Sequence, residues 1–303
     1  MMKLVFFSAA LILSISLFAQ PNMATLTTPR SLSTLHQQLI QIAQSAQGRV
    51  GISALLLETG ESISVRGNEP FPMQSVYKFP IGMAVLSQVD QGKLTLDQKI
   101  HVDKSAYIGE RQHSPVRDNN PDGIDMSVGD LLRYAVSQSD GSASDVLLRL
   151  VGGPAVVMHY LNTLTIKGIR VLNSEKEIGQ NNAVQYKNWA QPVAMVALLS
   201  ALHQSRGLIP ASRAFLLKIM TETTTGPNRL KGLLPPGTEV AHKTGTSGTE
   251  KGLTAATNNV GLITLPNGYH VAIAVFLADS KADTATREAV IAQTAKAVWE
   301  HWE

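Results

Sequence analysis

Ser75-Val76-Tyr77-Lys78 is the only S-x-x-K string in the 303-residue chain. Its spacing lets one helical turn bring a hydroxyl and an amine onto a common face. A buried amine near other cations loses its charge readily and can then accept a proton, so Lys78 can activate Ser75 as a nucleophile without a histidine. For the string in isolation, a helix cap followed by a surface lysine is the simpler reading. Two later strings change that weighing. Ser139-Asp140-Gly141 falls between two helical stretches, where a hydroxyl can point into a cleft and relay a proton to a leaving group. Lys243-Thr244-Gly245 closes an apolar strand, where the lysine adds positive charge and the glycine lets a ligand approach the backbone.

The elements that must position these residues follow from periodicity. Ser31 can cap a helix with Leu32, Leu35, Leu39 and Ile42 on one face, and Arg49 to Leu57 with Ser62 to Val65 reads as a hairpin. From Ser75 to about Ile219 the apolar spacing is mostly helical. Strands return over Glu239–Thr244, Asn259–Leu265 and Tyr269–Ala278, and Asp283 to Trp302 reads as a closing helix. A helix and hairpin at one end and a sheet and helix at the other predict an α/β (α+β) fold, with the termini sharing one layer and an inserted all-α domain. The expected division is an α/β domain from residues 20–72 and 220–303, a helical domain over 73–219, and a cleft between them.

Composition narrows the function classes. At 44% hydrophobic and 16% charged the chain is globular, and a net charge of +3 offers no footprint for nucleic acid. No cysteine is present, which excludes a disulfide framework and a thiolate zinc site. The eight histidines show neither H-E-x-x-H nor paired spacing, so no metal and no cofactor are expected. Lys3 followed by the apolar run Leu4 to Ala19 and then Gln20-Pro21-Asn22 reads as a signal peptide over residues 1–19. The run is shorter than the ~20 residues a spanning helix needs. An exported, periplasmic monomer with no stable membrane association is expected.

Taken together, the three strings in this order resemble the class A serine β-lactamases, whose elements are S-x-x-K, S-D-N and K-T-G. The resemblance runs the length of the chain and implies a small-molecule β-lactam as substrate. The family places a glutamate in a loop after the second string. Asn173-Ser174-Glu175-Lys176-Glu177 supplies it, with Glu175 standing 35 residues beyond Asp140 and Glu177 as the fallback. This glutamate separates lactamases from related D,D-peptidases and from sensors that stay acylated. Ala183 to Trp189, Glu222 to Pro227 and Ala241 to Gly248 look like the PER/VEB type of extended-spectrum enzymes.

The resemblance implies Ser75 as nucleophile, Lys78 beside it, Ser139 as proton relay and Glu175 as the base that activates water. It implies an oxyanion hole from the backbone N–H groups of Ser75 and Thr246. Lys243, Thr244, Gly245, Thr246, Ser247 and Arg229 are expected to bind substrate, Arg229 through its carboxylate. Gly141 stands where the family usually has an asparagine that contacts the substrate's acylamide. Gly179 stands where many members have an asparagine that positions water, and Asn173 and Asn188 replace an Arg and Asp pair that braces the loop. A Ser-His-Asp hydrolase lacks support, since no G-x-S-x-G occurs.

Overall fold

The computed structural model describes residues 1–5 and 31–303. Past residue 5, the expected signal peptide lies outside the described residues. Ser31 accepts from Thr34 N and starts α1 (Leu32–Gln44), which leads into β1 (Arg49–Leu56) and β2 (Ser62–Val65). A 3-10 turn over Gln74–Tyr77 runs into α2 (Lys78–Asp90). Ser127 and Asp140 cap α3 (Val128–Ser137) and α4 (Gly141–Leu150) with their side chains. Helices over Pro154–Thr163, Pro192–His203 and Pro210–Thr221 each open on a proline, whose missing N–H costs nothing in a first turn. The chain then forms β3 (Val240–Thr246), β4 (Leu253–Thr264), β5 (His270–Ser280) and α5 (Thr284–Trp302).

The sheet runs β2-β1-β5-β4-β3 with every neighbouring pair antiparallel, so strands from both ends of the chain share one layer. Alternation along β5 serves two cores. Val271, Ile273, Val275 and Leu277 pack with α1 and α5, while Ala272, Ala274, Phe276 and Ala278 face the helical region. The α+β class expected from the pattern is the architecture observed.

One strand is longer than periodicity suggests. β4 starts at Leu253 and not at Asn259 because its first half buries Thr254, Thr257 and Asn258, a polar run that does not read as strand. Arg287 of α5 satisfies Thr257 Oγ1 at 2.9 Å, and Asn258 Nδ2 donates to the carbonyls of Pro72 (2.8 Å) and Met73 (3.0 Å). The polar run therefore fixes the backbone just ahead of Ser75. A small sheet made of Phe71–Pro72, Trp189–Ala190 and Ile169–Arg170 closes the loop that carries Glu175, since Arg170 pairs with Trp189.

Candidate active site

Ser75 sits in the 3-10 turn and Lys78 opens α2, which places Lys78 Nζ 2.7 Å from Ser75 Oγ. Lys78 is 2% exposed, so its three N–H donors must find acceptors inside the protein. They do: Ser75 Oγ, the Ser139 carbonyl at 3.0 Å and Glu175 Oε2 at 3.1 Å. The turn itself is held in an uncommon backbone state, with Gln74 at φ 47°. Ser139 is likewise left-handed at φ 60°, which for a non-glycine residue marks a conformation imposed by its surroundings. Asp140 supplies part of that constraint. Its buried carboxylate accepts from Ala143 N (2.8 Å) and Val116 N (2.7 Å), anchoring the loop from both sides.

β3 is the edge strand beside this turn. Ser247 N pairs with the Ala256 carbonyl, so by antiparallel alternation the N–H of Thr246 points off the sheet toward the open edge. A Cβ on Gly245 would overlap the Met73 carbonyl. The glycine thus serves contact between β3 and the turn bearing Ser75, a role beyond the ligand approach its place in the sequence suggests. Lys243 Nζ lies 2.9 Å from Ser139 Oγ and donates to the Thr244 carbonyl at 3.0 Å. Complete burial, then the charge of Lys78, holds the Lys243 amine well below its ordinary range.

Glu175 opens a one-turn helix capped by Ser174, and Glu177 completes the capping box by accepting from Ser174 N at 2.8 Å. The fallback carboxylate is therefore committed to the loop, while Glu175 turns inward to Lys78. Asp145 of α4 accepts from Glu175 N (2.7 Å) and Lys176 N (2.9 Å), and burial pushes its own carboxyl up to about 6. Tyr77 donates its hydroxyl to Glu175 Oε2 at 2.6 Å. Burial works to raise the Glu175 carboxyl, but the charge of Lys78, hydrogen bonds from Tyr77 and Lys78, and the charge of Lys243 together bring it below the usual carboxylate range. Glu175 is thus held ionised.

Three expectations meet a different arrangement. Arg229 is buried behind β3, bound to Glu288 Oε1 (3.1 Å), the Asn258 carbonyl (3.1 Å) and Thr246 Oγ1 (2.8 Å), so it acts on the cleft through Thr246. Asn188 braces the loop through backbone: its Oδ1 accepts from Leu172 N and Asn173 N and its Nδ2 donates to the Asn173 carbonyl. Among the described residues the Asn173 side-chain oxygen has no partner, so the two asparagine side chains do not pair as the Arg and Asp would. At Gly179, a Cβ would overlap the Gln112 amide, whose Nε2 reaches the Glu175 carbonyl at 2.5 Å. Gln112 thus fills the space an asparagine at that position would take.

Ser75, Ser139, Glu175, Thr244, Thr246 and Ser247 line one cleft of about 620 Å³, room for a bicyclic ligand with a side chain. The family model described as "Beta-lactamase enzyme family" matches residues 32–302. The chain belongs to the β-lactamase family. It is 39% identical over 263 residues to β-lactamase VEB-1 of Pseudomonas aeruginosa, covering 86% of this chain and 88% of that one. To the extended-spectrum β-lactamase PER-1 of the same organism it is 41% identical over 266 residues, covering 88% and 86%. Among solved structures, a β-lactamase from Chitinophaga pinensis shares 46% identity at a TM-score of 0.86, covering 88% of this chain and 98% of that one. The TLA-1 extended-spectrum enzyme shares 41% at 0.87, covering 90% and 99%. This β-lactamase is of class A, and its reaction is hydrolysis of the β-lactam ring, the activity that confers antibiotic resistance.

Sequence reasoning missed Tyr77, Asp145 and Gln112. Tyr77 stands inside the S-x-x-K string and Asp145 is an acid directly before the apolar run Val146-Leu147-Leu148, signals visible in the sequence.

Proposed function

We propose that Ser75 Oγ attacks the β-lactam carbonyl carbon, with the Ser75 and Thr246 N–H groups receiving the oxyanion, a contribution of ~3 to 4 kcal/mol per donor. The Ser75 proton passes to the Lys78 amine while Glu175 keeps its charge. The ring C–N bond breaks, the nitrogen takes its proton from Ser139, which Lys243 holds, and Ser139 recovers one from Lys78. Lys243, Thr244 and Thr246, the last oriented by Arg229, bind the substrate carboxylate, and Ser247 lines the strand edge. Water then adds to the Ser75 ester while Glu175 takes its proton. The C–O bond breaks and Ser75 regains a proton. The observation that carries this reading is the unbroken contact from Ser75 Oγ through Lys78 Nζ to Glu175 Oε2. It favours a hydrolase that clears its acyl-enzyme over a peptidase or a sensor. Stopped-flow mixing with a penicillin tests it: turnover beyond one equivalent per enzyme with a transient adduct is expected, and a single lasting equivalent contradicts it.

In this reading the cleft lies between an α/β unit of residues 20–72 and 220–303 and a helical unit of 73–219, and the enzyme works as a periplasmic monomer. Among the described residues no helix is long and apolar enough to cross a membrane.

Tyr77 acts as a positioning residue, fixing Oε2 of Glu175 so that Oε1 is left for water. Loss of a hydrogen bond to a charged group costs ~1.5 to 3 kcal/mol, so Tyr77→Phe should lower kcat by ~10- to 100-fold. The sign of the pH effect is fixed: without the donor the Glu175 carboxyl rises, and the acid limb of kcat moves to higher pH. An unmoved limb excludes the role.

Gly141→Asn, which restores the usual family residue, is expected to harm this enzyme. A Cβ there overlaps Ile108 Cδ1 and comes 2.7 Å from Glu175 Cγ, so the base must shift. Overpacking of this kind costs ~1 to 3 kcal/mol. Thermal unfolding and kcat should both fall, and Ile108→Ala in the same background should recover part of each. A gain in kcat from Gly141→Asn alone would show that the missing amide matters more than the space.

A further inference from the structure

At the end of the sheet remote from Ser75, we propose a zinc site formed by Glu58, His203 and His270. Glu58 lies in the turn after β1, His270 opens β5, and His203 ends the helix over Pro192–His203. Their donor atoms all lie within 4.8 Å of one another. Spacing along the chain hides it, because Glu58 and His270 are 212 residues apart and the histidines come from different elements.

The local contacts pre-arrange the donors. Glu58 Oε1 is 2.8 Å from His270 Nδ1, and Oε2 accepts from His270 N at 2.8 Å, which fixes the carboxylate against the strand. Glu58 Oε1 and His270 Nδ1 therefore each offer one ligand on the same side, and a cation between them takes the place of their shared proton. The two imidazole rings lie 4.5 Å apart, centroid to centroid. His203 is the last residue of a 12-residue helix, whose carbonyl end favours a cation. Arg213, whose charge acts on His203, is the cation that opposes binding.

Two imidazoles and a carboxylate suit Zn²⁺, whose bonds to such ligands are ~2.0 to 2.2 Å in a tetrahedral site, leaving water in the fourth position. Such bonds set the donors ~3.3 Å apart, so the 2.8 Å Glu58–His270 contact opens slightly and the wider spacings, none above 4.8 Å, close on binding. The ion would tie the β1–β2 turn, the start of β5 and a helix end together. The site stands six residues along β5 from Phe276, which pairs with the β4 neighbour of Gly245, and six residues of strand span ~20 Å. It is therefore a stabilising clamp, separate from the cleft.

The test is titration of tag-free, metal-stripped enzyme with ZnCl₂ by calorimetry and thermal unfolding, with MgCl₂ as the hard-cation control. One zinc per chain is expected, with Tm rising by roughly 5 °C at a hundredfold excess over Kd and no response to magnesium. His203→Ala and the size-conserving His203→Asn should both lose the shift, and Glu58→Gln should weaken binding ~10- to 100-fold. Hydrolysis of a chromogenic cephalosporin should be unchanged in all three variants without metal. Absence of binding, an equal response to magnesium, or zinc affinity unaltered in the His203 variants overturns the proposal.

Discussion

Glu175→Gln enzyme is acylated by a penicillin at close to the wild-type rate and then stalls, its steady-state turnover falling by ~10³-fold or more. General base catalysis contributes ~10²- to 10⁴-fold, and the amide cannot accept water's proton. Glutamine keeps the shape of the loop: Asp145 still holds the backbone amides of residues 175 and 176, and Gln112 still holds the carbonyl. The loss should therefore fall on deacylation, visible as a burst of one equivalent followed by slow release. A variant whose burst disappears along with its turnover would assign Glu175 to acylation as well, and unchanged steady-state hydrolysis would remove it from the mechanism.

Lys78→Ala carries the second large effect, on two readouts. Acylation should drop by ~10³-fold, because the only amine touching Ser75 Oγ among the described residues is gone. Stability should fall too. Removing one partner of a buried ion pair costs ~3 to 5 kcal/mol, since the remaining charge is left in a poor solvent. In the wild type the Glu175 carboxyl lies below its ordinary 4.5, so it stabilises the fold above that pH and the contribution fades as pH falls through the lowered value. In Lys78→Ala burial dominates, the carboxyl rises, and stability should instead improve as the pH is lowered. The double variant Lys78→Ala/Glu175→Gln separates the causes: it should be more stable at neutral pH than Lys78→Ala alone while remaining inactive. Equal stabilities would mean that the pair contributes no coupling.

Local spacing made Ser75 and Lys78 legible, because three residues along a helical turn fix their proximity whatever the rest of the fold does. Lys243 was legible from the strand that carries it, and Ser139 from the break between two helical patterns. The terminal helices and hairpin were readable from clean apolar alternation. What stayed hidden depends on distant contacts. Tyr77 meets Glu175 across 98 residues and Asp145 meets it across 30, and neither periodicity nor composition carries such pairings. The early start of β4 was masked because its buried side chains are threonine and asparagine, chosen for bonds to Arg287 and to the turn ahead of Ser75. Arg229 was found but misplaced by one contact, since a side chain's burial behind a strand cannot be read from its neighbours in sequence. Glu177 could be told from Glu175 only once the capping box was seen.

The acyl-enzyme at Ser75 and its release are the central events of the reaction. Quenched-flow mass spectrometry of wild type and Glu175→Gln mixed with a penicillin, followed by peptide mapping, reads both. The expected result is an adduct of the intact substrate mass on the peptide containing Ser75, gone within the turnover time in the wild type and persistent in Glu175→Gln. An adduct on another residue, or one that decays equally fast in both proteins, would contradict it.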